Sequence, residues 1–322
     1  MGRDYTLGLY EKSMPRSLSL GEKLAAAGAC GFDFLEVSID ETDEKLERLS
    51  WGAAKRREAA DASREAGVPL GSICLSAHRK FSLGNPDPAG RARALDIAER
   101  AIGLACDWGV RLIQLAGYDV YYEPGGERTR AFFRENLGKC VGMAAASGVV
   151  LAFETMETPF MDTVKKAMAY VDDMRSPWLQ IYPDLGNLTN AALLYGHGVA
   201  DDLAAGKGHI AALHLKESAP GRYRDVPYGS GHVDFAAGIK AARELGVRRF
   251  VGEFWDMSGR GGFVGDRSGT GGLDRADMSA RGSGIGDRSG TDRSGTGGED
   301  WRGRIARAHG FLRGFLDAAA DS

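Results

Sequence analysis

Eight times along this chain a short apolar run, rich in Val, Ile, Leu and aromatic residues, gives way to a longer amphipathic stretch. Five of those stretches stop at a glycine, at Gly31, Gly67, Gly109, Gly148 and Gly246, just before the next apolar run. Short apolar runs read as strands buried on both faces, and such strands belong to parallel sheets covered by helices. A glycine after an amphipathic stretch is the usual helix stop, because it enters the left-handed conformation without a Cβ clash. The alternation therefore predicts an α/β chain of eight strand–helix units, a (β/α)8 TIM barrel. A doubly wound open sheet is the competing topology. It generally carries a Gly-rich turn after its first strand, where this chain has Tyr10-Glu11-Lys12-Ser13.

The predicted strands are Tyr5–Tyr10, Phe32–Val37, Leu70–Ser76, Val110–Leu115, Val149–Glu154, Leu179–Pro183, Ile210–Leu213 and Arg249–Gly252. The helices between them span Leu20–Ala29, Trp51–Ala66, Pro88–Asp107, Glu127–Ser147, a segment N-capped by Asp162 and running to Met174, Thr189–Ala205 with an interruption at Gly196 and Gly198, and Phe235–Leu245. A final helix covers Trp301–Ala319. Residues 258–299 do not fit this pattern. They are dominated by Gly, Ser, Arg and Asp and repeat Asp-Arg-Ser-Gly-Thr at 266–270, 287–291 and 292–296. Such a composition offers too little apolar surface to offset its ordering entropy, which predicts a disordered insertion. The expected organisation is a barrel over 1–257, the insertion over 258–299, and the last barrel helix over 300–322.

Composition narrows the function classes. A formal net charge of −3 over 322 residues argues against a general nucleic-acid binder. No apolar run approaches the ~20 residues that span a bilayer, so no membrane partner is expected. Cys30, Cys74, Cys106 and Cys140 lack the paired spacing of a zinc or disulfide framework and suit a reducing cytoplasm.

The chemistry is concentrated where strands stop. In order, the last four runs end in Glu154, Asp184, His214 and Glu253. Parallel barrels carry their active sites at the C-terminal ends of the strands. Three hard carboxylates and one imidazole form a donor set for one divalent metal ion, Mn2+, Co2+, Mg2+ or Zn2+. A multi-zinc endonuclease on the same fold would need many more histidines than the six in this chain.

Several longer segments add a resemblance. Leu9-Tyr10-Glu11-Lys12, Ser38–Glu44, Ser76-Ala77-His78-Arg79, Leu115–Tyr122, Tyr182–Asn187 and Asp225–Gly229 together resemble the L-ribulose-5-phosphate 3-epimerase (L-xylulose-5-phosphate 3-epimerase) family of the xylose-isomerase-like barrels. The resemblance spans about residues 5–256 and resumes weakly in the last helix. It implies that Glu154, Asp184, His214 and Glu253 hold the metal, and that Glu154 and Glu253 double as acid and base. It also implies 3-epimerisation between L-ribulose 5-phosphate and L-xylulose 5-phosphate, a step of L-ascorbate degradation, through a metal-stabilised enediolate. Inverting C3 requires a proton acceptor on one face and a donor on the other, which explains two carboxylates. The alternative activity is isomerisation of a related ketose or hexulose phosphate at the same metal site.

For the phosphorylated ketopentose, the candidate contacts are His78, Arg79 and Lys80 after the third strand and Lys216, Arg222 and Arg224 after the seventh. Gly229-Ser230-Gly231 is a candidate backbone cradle. Glu157 and Glu36 are candidates for the sugar hydroxyls, and Tyr118, Tyr121 and Tyr122 for a pocket wall. Asn187 stands where other barrels of the superfamily carry a histidine. Homo-oligomeric association stays open at this level.

Overall fold

The computed structural model describes residues 3–256 and 300–320. The segment 258–299, expected as an insertion, lies outside the described residues. Eight parallel strands run in chain order around the molecule: β1 (Thr6–Tyr10), β2 (Phe34–Ser38), β3 (Leu70–Leu75), β4 (Leu112–Ala116), β5 (Val150–Glu154), β6 (Leu179–Tyr182), β7 (Leu213–Leu215) and β8 (Arg249–Gly252). Neighbours in sequence are neighbours in the sheet, and β8 pairs back onto β1. Between β6 and β7 the ring closes through the bridges Ile181–Ile210 and Asp184–His214. The chain is a (β/α)8 barrel.

The helices are α1 (Leu20–Ala29), α2 (Asp43–Glu47), α3 (Ala53–Ala66), α4 (Pro88–Trp108), α5 (Glu127–Ser147), α6 (Val164–Met174), α7 (Leu185–Tyr195), α8 (Val199–Ala204), α9 (Phe235–Glu244) and α10 (Trp301–Ala318). The five stopping glycines all take positive φ, between 65° and 91°. Their inner faces pack Leu, Ile, Val and Ala against the outside of the strands in one continuous layer. Each fully buried Leu, Ile or Phe there contributes roughly 1.5–3 kcal/mol.

Three helices start elsewhere than the sequence suggests, the simplest case being α3, which begins at Ala53 rather than Trp51. Thr163, not Asp162, caps α6 by accepting from the Lys166 amide. The Asp162 carboxylate instead accepts from Lys166 Nζ at 2.5 Å and from Tyr195 OH at 2.7 Å. The helix expected from Thr189 begins at Leu185, and Gly196 and Gly198 split it into α7 and α8. Asp184 is its N-cap, accepting from the Asn187 amide at 2.6 Å. An aspartate at the end of an apolar strand reads locally as a strand terminus, and only the fold reveals that it also starts a helix.

The barrel interior is filled in layers, from the N-terminal floor to the C-terminal mouth. At the floor the Arg249 guanidinium lies 4.1 Å from the Phe34 ring centroid and donates to the Gly71 carbonyl at 2.6 Å. Glycine is required beside that ring: a Cβ on Gly8 or Gly71 would stand 2.3 Å or 2.2 Å from Phe34 carbons. Above it come Tyr10, Cys74, Ala152, Tyr182, Ala212 and Val251. The mouth is charged.

Candidate active site

Strand alternation and register bring the four predicted strand-end residues to that mouth, although the seventh strand runs Leu213–Leu215 rather than Ile210–Leu213 and so holds His214 in its middle. Glu154 is the last residue of β5 and pairs with Tyr182 of β6. Asp184 lies two residues past Tyr182 and bridges to His214 in the middle of β7. Glu253 follows β8 directly, and its amide donates to the Leu215 carbonyl of β7. One ligand atom from each of the four side chains lies within 4.8 Å of all the others. His214 Nδ1 stands 3.3 Å from Glu154 Oε1, 3.6 Å from Glu253 Oε2 and 4.0 Å from Asp184 Oδ2. All four residues are buried, at 0–4% exposure.

Three carboxylates this close and this dry cannot all ionise without positive charge nearby. Burial raises Glu154, and the Glu253 charge adds to the effect. Burial pushes Asp184 up to about 8, although Lys216 opposes it. Burial would raise Glu253 too, but the Lys216 and His214 cations outweigh it and hold that carboxyl down to about 2. His214 is raised well above its ordinary value, because Glu36 and Glu253 overcome the cost of burying its charge. Lys216 Nζ lies 3.1 Å from Asp184 Oδ2 and 3.4 Å from Glu253 Oε2. Even so, neither oxygen accepts a hydrogen bond of acceptable geometry. Buried acceptors that form no hydrogen bond are costly, and the Lys216 ion pairs offset only part of that cost. A divalent cation bound by these four residues would satisfy them, and the donor set, three carboxylate oxygens and one imidazole nitrogen, suits such an ion. The residues fit a metal centre.

Asp184 is held on both sides: its amide donates to Thr155 Oγ1 at 3.0 Å, and its Oδ1 caps α7. Glu154 Oε2 accepts from the Gln114 amide. Asn187 donates to the Thr155 carbonyl at 2.7 Å, and its buried Oδ1 accepts nothing.

Over the cluster lies a polar cavity of about 150 Å³ lined by, among others, Lys12, Arg79, Glu157, Asn187, Lys216 and Arg224. Arg79, Lys216 and Glu157 thus meet at one place. Glu157 accepts from Tyr118 OH at 2.5 Å and from Tyr121 OH at 3.3 Å. Burial would raise Glu157, but the Tyr118 bond, with Arg224 and Arg79 nearby, outweighs it and holds that carboxyl below the usual range. The Arg79 guanidinium stacks 5.0 Å from the Tyr121 ring. Tyr118 and Tyr121 therefore stand behind Glu157 and Arg79, while Tyr122 is exposed and donates to Glu41 at 2.6 Å.

Other candidates do not reach the cavity. His78 is buried with Nε2 3.1 Å from the Ala94 carbonyl of α4, and burial lowers it to about 4. Its imidazole is a neutral part of the packing. Arg222 donates to the carbonyls of Arg224 and Asp225, at 3.2 and 2.5 Å, and so folds the loop that carries Arg224. Lys80 is exposed, with Nζ 5.4 Å from the Phe81 ring. The Gly229 amide is already taken by Glu217 Oε2 at 2.9 Å, so the glycine cradle binds a carboxylate of the chain itself. Glu36 lies below the cluster, against His214. Sequence reasoning missed Gln114, Thr155 and Tyr182. The one available signal was Gln114, a polar residue inside an otherwise apolar buried strand.

Similarity to known proteins agrees with this geometry. Residues 24–267 match the family model described as xylose isomerase-like TIM barrel. The L-ribulose-5-phosphate 3-epimerase UlaE of Shigella boydii is 44% identical over 246 residues, 76% of this chain and 85% of that protein. SgbU of Escherichia coli K12, provisionally named as the same enzyme, is 47% identical over 260 residues, 79% of this chain and 90% of that protein. Among solved structures, an L-ribulose 3-epimerase superposes with a TM-score of 0.70 at 19% identity, covering 98% of this chain and 95% of that one. A barrel protein from Mycobacterium smegmatis in complex with magnesium gives 0.64 at 16% identity, covering 99% and 100%. The last two speak for the fold alone. The chain belongs to the xylose isomerase-like TIM barrel family and is an enzyme of the epimerase kind.

Proposed function

We propose that this chain is a metal-dependent 3-epimerase that interconverts L-ribulose 5-phosphate and L-xylulose 5-phosphate. The observation that carries the proposal is the meeting of Glu154, Asp184, His214 and Glu253 within 4.8 Å beneath a cavity lined by cations. The relatives' names supply the substrate. Held by those four residues, a divalent cation supplies Lewis-acid polarisation of the C2 ketone and so makes the C3 proton more acidic.

The chain's own residues do the rest. Glu154 and Glu253 approach from different strands, β5 and the end of β8, and so address opposite faces of a sugar lying between them. One carboxylate takes the C3 proton, leaving an enediolate. The other returns a proton to the far face, and C3 is inverted. Lys12, Arg79 and Arg224 supply the positive charge for the phosphate. Asn187 Oδ1 and Glu157 accept from the sugar hydroxyls, and Trp255 limits water access beside Lys216 and Arg224.

The test is turnover in deuterated water with each pentulose phosphate, before and after chelation. Deuterium should enter at C3 only, and activity should vanish on chelation and return with Mn2+ or Co2+. Label at C1 would instead indicate an aldose–ketose isomerase. Full activity after exhaustive chelation would overturn the metal assignment.

A further inference from the structure

Glu36 has no part in the proton transfers proposed above, yet its bonding is unusually complete. It sits in the middle of β2, fully buried, one layer below the mouth. Its Oε1 is 2.6 Å from His214 Nε2. Its Oε2 accepts from Ser72 Oγ of β3 at 2.7 Å and from Tyr182 OH of β6 at 2.9 Å. Four strands thus converge on one carboxylate and one imidazole.

The consequence follows from hydrogen-bond chemistry. A carboxylate only accepts, so His214 Nε2 carries a proton. The nitrogen facing the carboxylates of Glu154, Asp184 and Glu253 is therefore Nδ1, and with Nε2 anchored in this way it is the one at which a cation would take the place of a proton. Without an acceptor below, the ring could turn or exchange tautomers and point an N–H bond into the centre. Ser72 and Tyr182 fix Glu36 by donating to the oxygen that His214 does not use.

We infer that Glu36 is a positioning residue of the metal centre: through His214 Nε2 it sets the tautomer and ring orientation that make Nδ1 a cation ligand, and Ser72 and Tyr182 hold it there. The inference rests on the metal site proposed above. It differs from a purely structural buried pair in one respect: it governs metal affinity apart from the stability of the fold.

The measurement uses the full chain stripped of metal and titrated with Co2+ against a competing chelator, following the visible absorption of bound Co2+. Wild type, Glu36→Gln and Tyr182→Phe are compared, with thermal unfolding of each metal-free protein alongside. Glu36→Gln should weaken Co2+ binding by about 10–100-fold, and Tyr182→Phe should weaken it less. Both should alter the absorption band, because the ring is held differently. Affinities within about threefold of wild type, or a loss confined to metal-free unfolding, would overturn the inference. If Glu36→Gln does not fold, Tyr182→Phe decides by the same two outcomes. Uptake of Co2+ by wild type with no change in the variants sinks this inference alone, whereas no uptake by wild type sinks the proposed metal site and this inference with it.

Discussion

Two clusters of buried charge lie toward the same end of the barrel, and they are built on opposite principles. Around Glu11, just past β1, one carboxylate receives five donors. Lys23 Nζ at 3.0 Å, Lys45 Nζ at 2.5 Å and Arg48 Nη2 at 2.7 Å bind one oxygen. Arg48 Nη1 at 2.5 Å and the Ser38 amide at 2.9 Å bind the other. Around His214, three carboxylates share Lys216 and the imidazole, and two of their oxygens accept no hydrogen bond. The Glu11 cluster is saturated, and burial notwithstanding, Arg48, Lys45 and Lys23 hold its carboxyl well below the usual range. The His214 cluster is short of positive charge. A saturated cluster fastens β1, α1, β2 and α2 to one another. An unsaturated one costs stability, and the proposed metal site gives that cost a purpose.

That contrast can be broken or sharpened by experiment. The largest expected effect is on chemistry: Glu154→Gln should slow deuterium exchange at C3 by about 10²–10⁴-fold. In the same variant the metal-free protein should unfold no more easily than wild type, because a carboxyl repelled by Glu253 has been neutralised. Clear destabilisation would show that this cluster holds the fold after all. Glu11→Gln should do the reverse, lowering the unfolding free energy by about 3–5 kcal/mol, since it strands three buried cations. Its Co2+ affinity should match that of wild type.

Metal should stabilise only through the unsaturated cluster. At a free concentration of Mn2+ or Co2+ a hundred times its Kd, the unfolding free energy should rise by about 2.7 kcal/mol in wild type and in Glu11→Gln. Asp184→Asn should lose most of that gain when denaturant curves are compared with and without metal.

The smallest effect is on acid stability. Because the Glu11 carboxyl is depressed in the folded state, its stabilisation is fully present above the unfolded glutamate value and is lost as pH falls toward the folded one. In that window wild type should lose up to about 1.4 kcal/mol per pH unit more than Glu11→Gln. Parallel pH profiles for the two proteins would contradict the saturated reading.

Much of the fold was legible in the sequence because its signals are local. Alternating apolar and amphipathic segments with glycine stops gave the strand count and all the long helices, though not the short α2, and the residue types ending four predicted strands pointed to a metal. The misjudged starts of α6 and α7 have a common cause. Asp162, Thr163 and Asp184 can each cap a helix, and the choice depends on Tyr195, Lys166 and Thr155 approaching from elsewhere in the fold. His78 and Arg79 are adjacent and equally polar, yet one packs on α4 and the other lines the cavity. Nothing in a dipeptide distinguishes those directions.

The sequence by itself determined the class of fold and the four residues, none of them a soft ligand, that the barrel brings together, since periodicity and residue chemistry are properties of short segments. Only the tertiary structure decided which cations face the cavity, that a glycine loop is filled by Glu217, and that His214 meets the centre through Nδ1. The last depends on Glu36, 178 residues away in the chain, and the orientation of an imidazole is fixed by the hydrogen bond on its far side rather than by its neighbours in sequence.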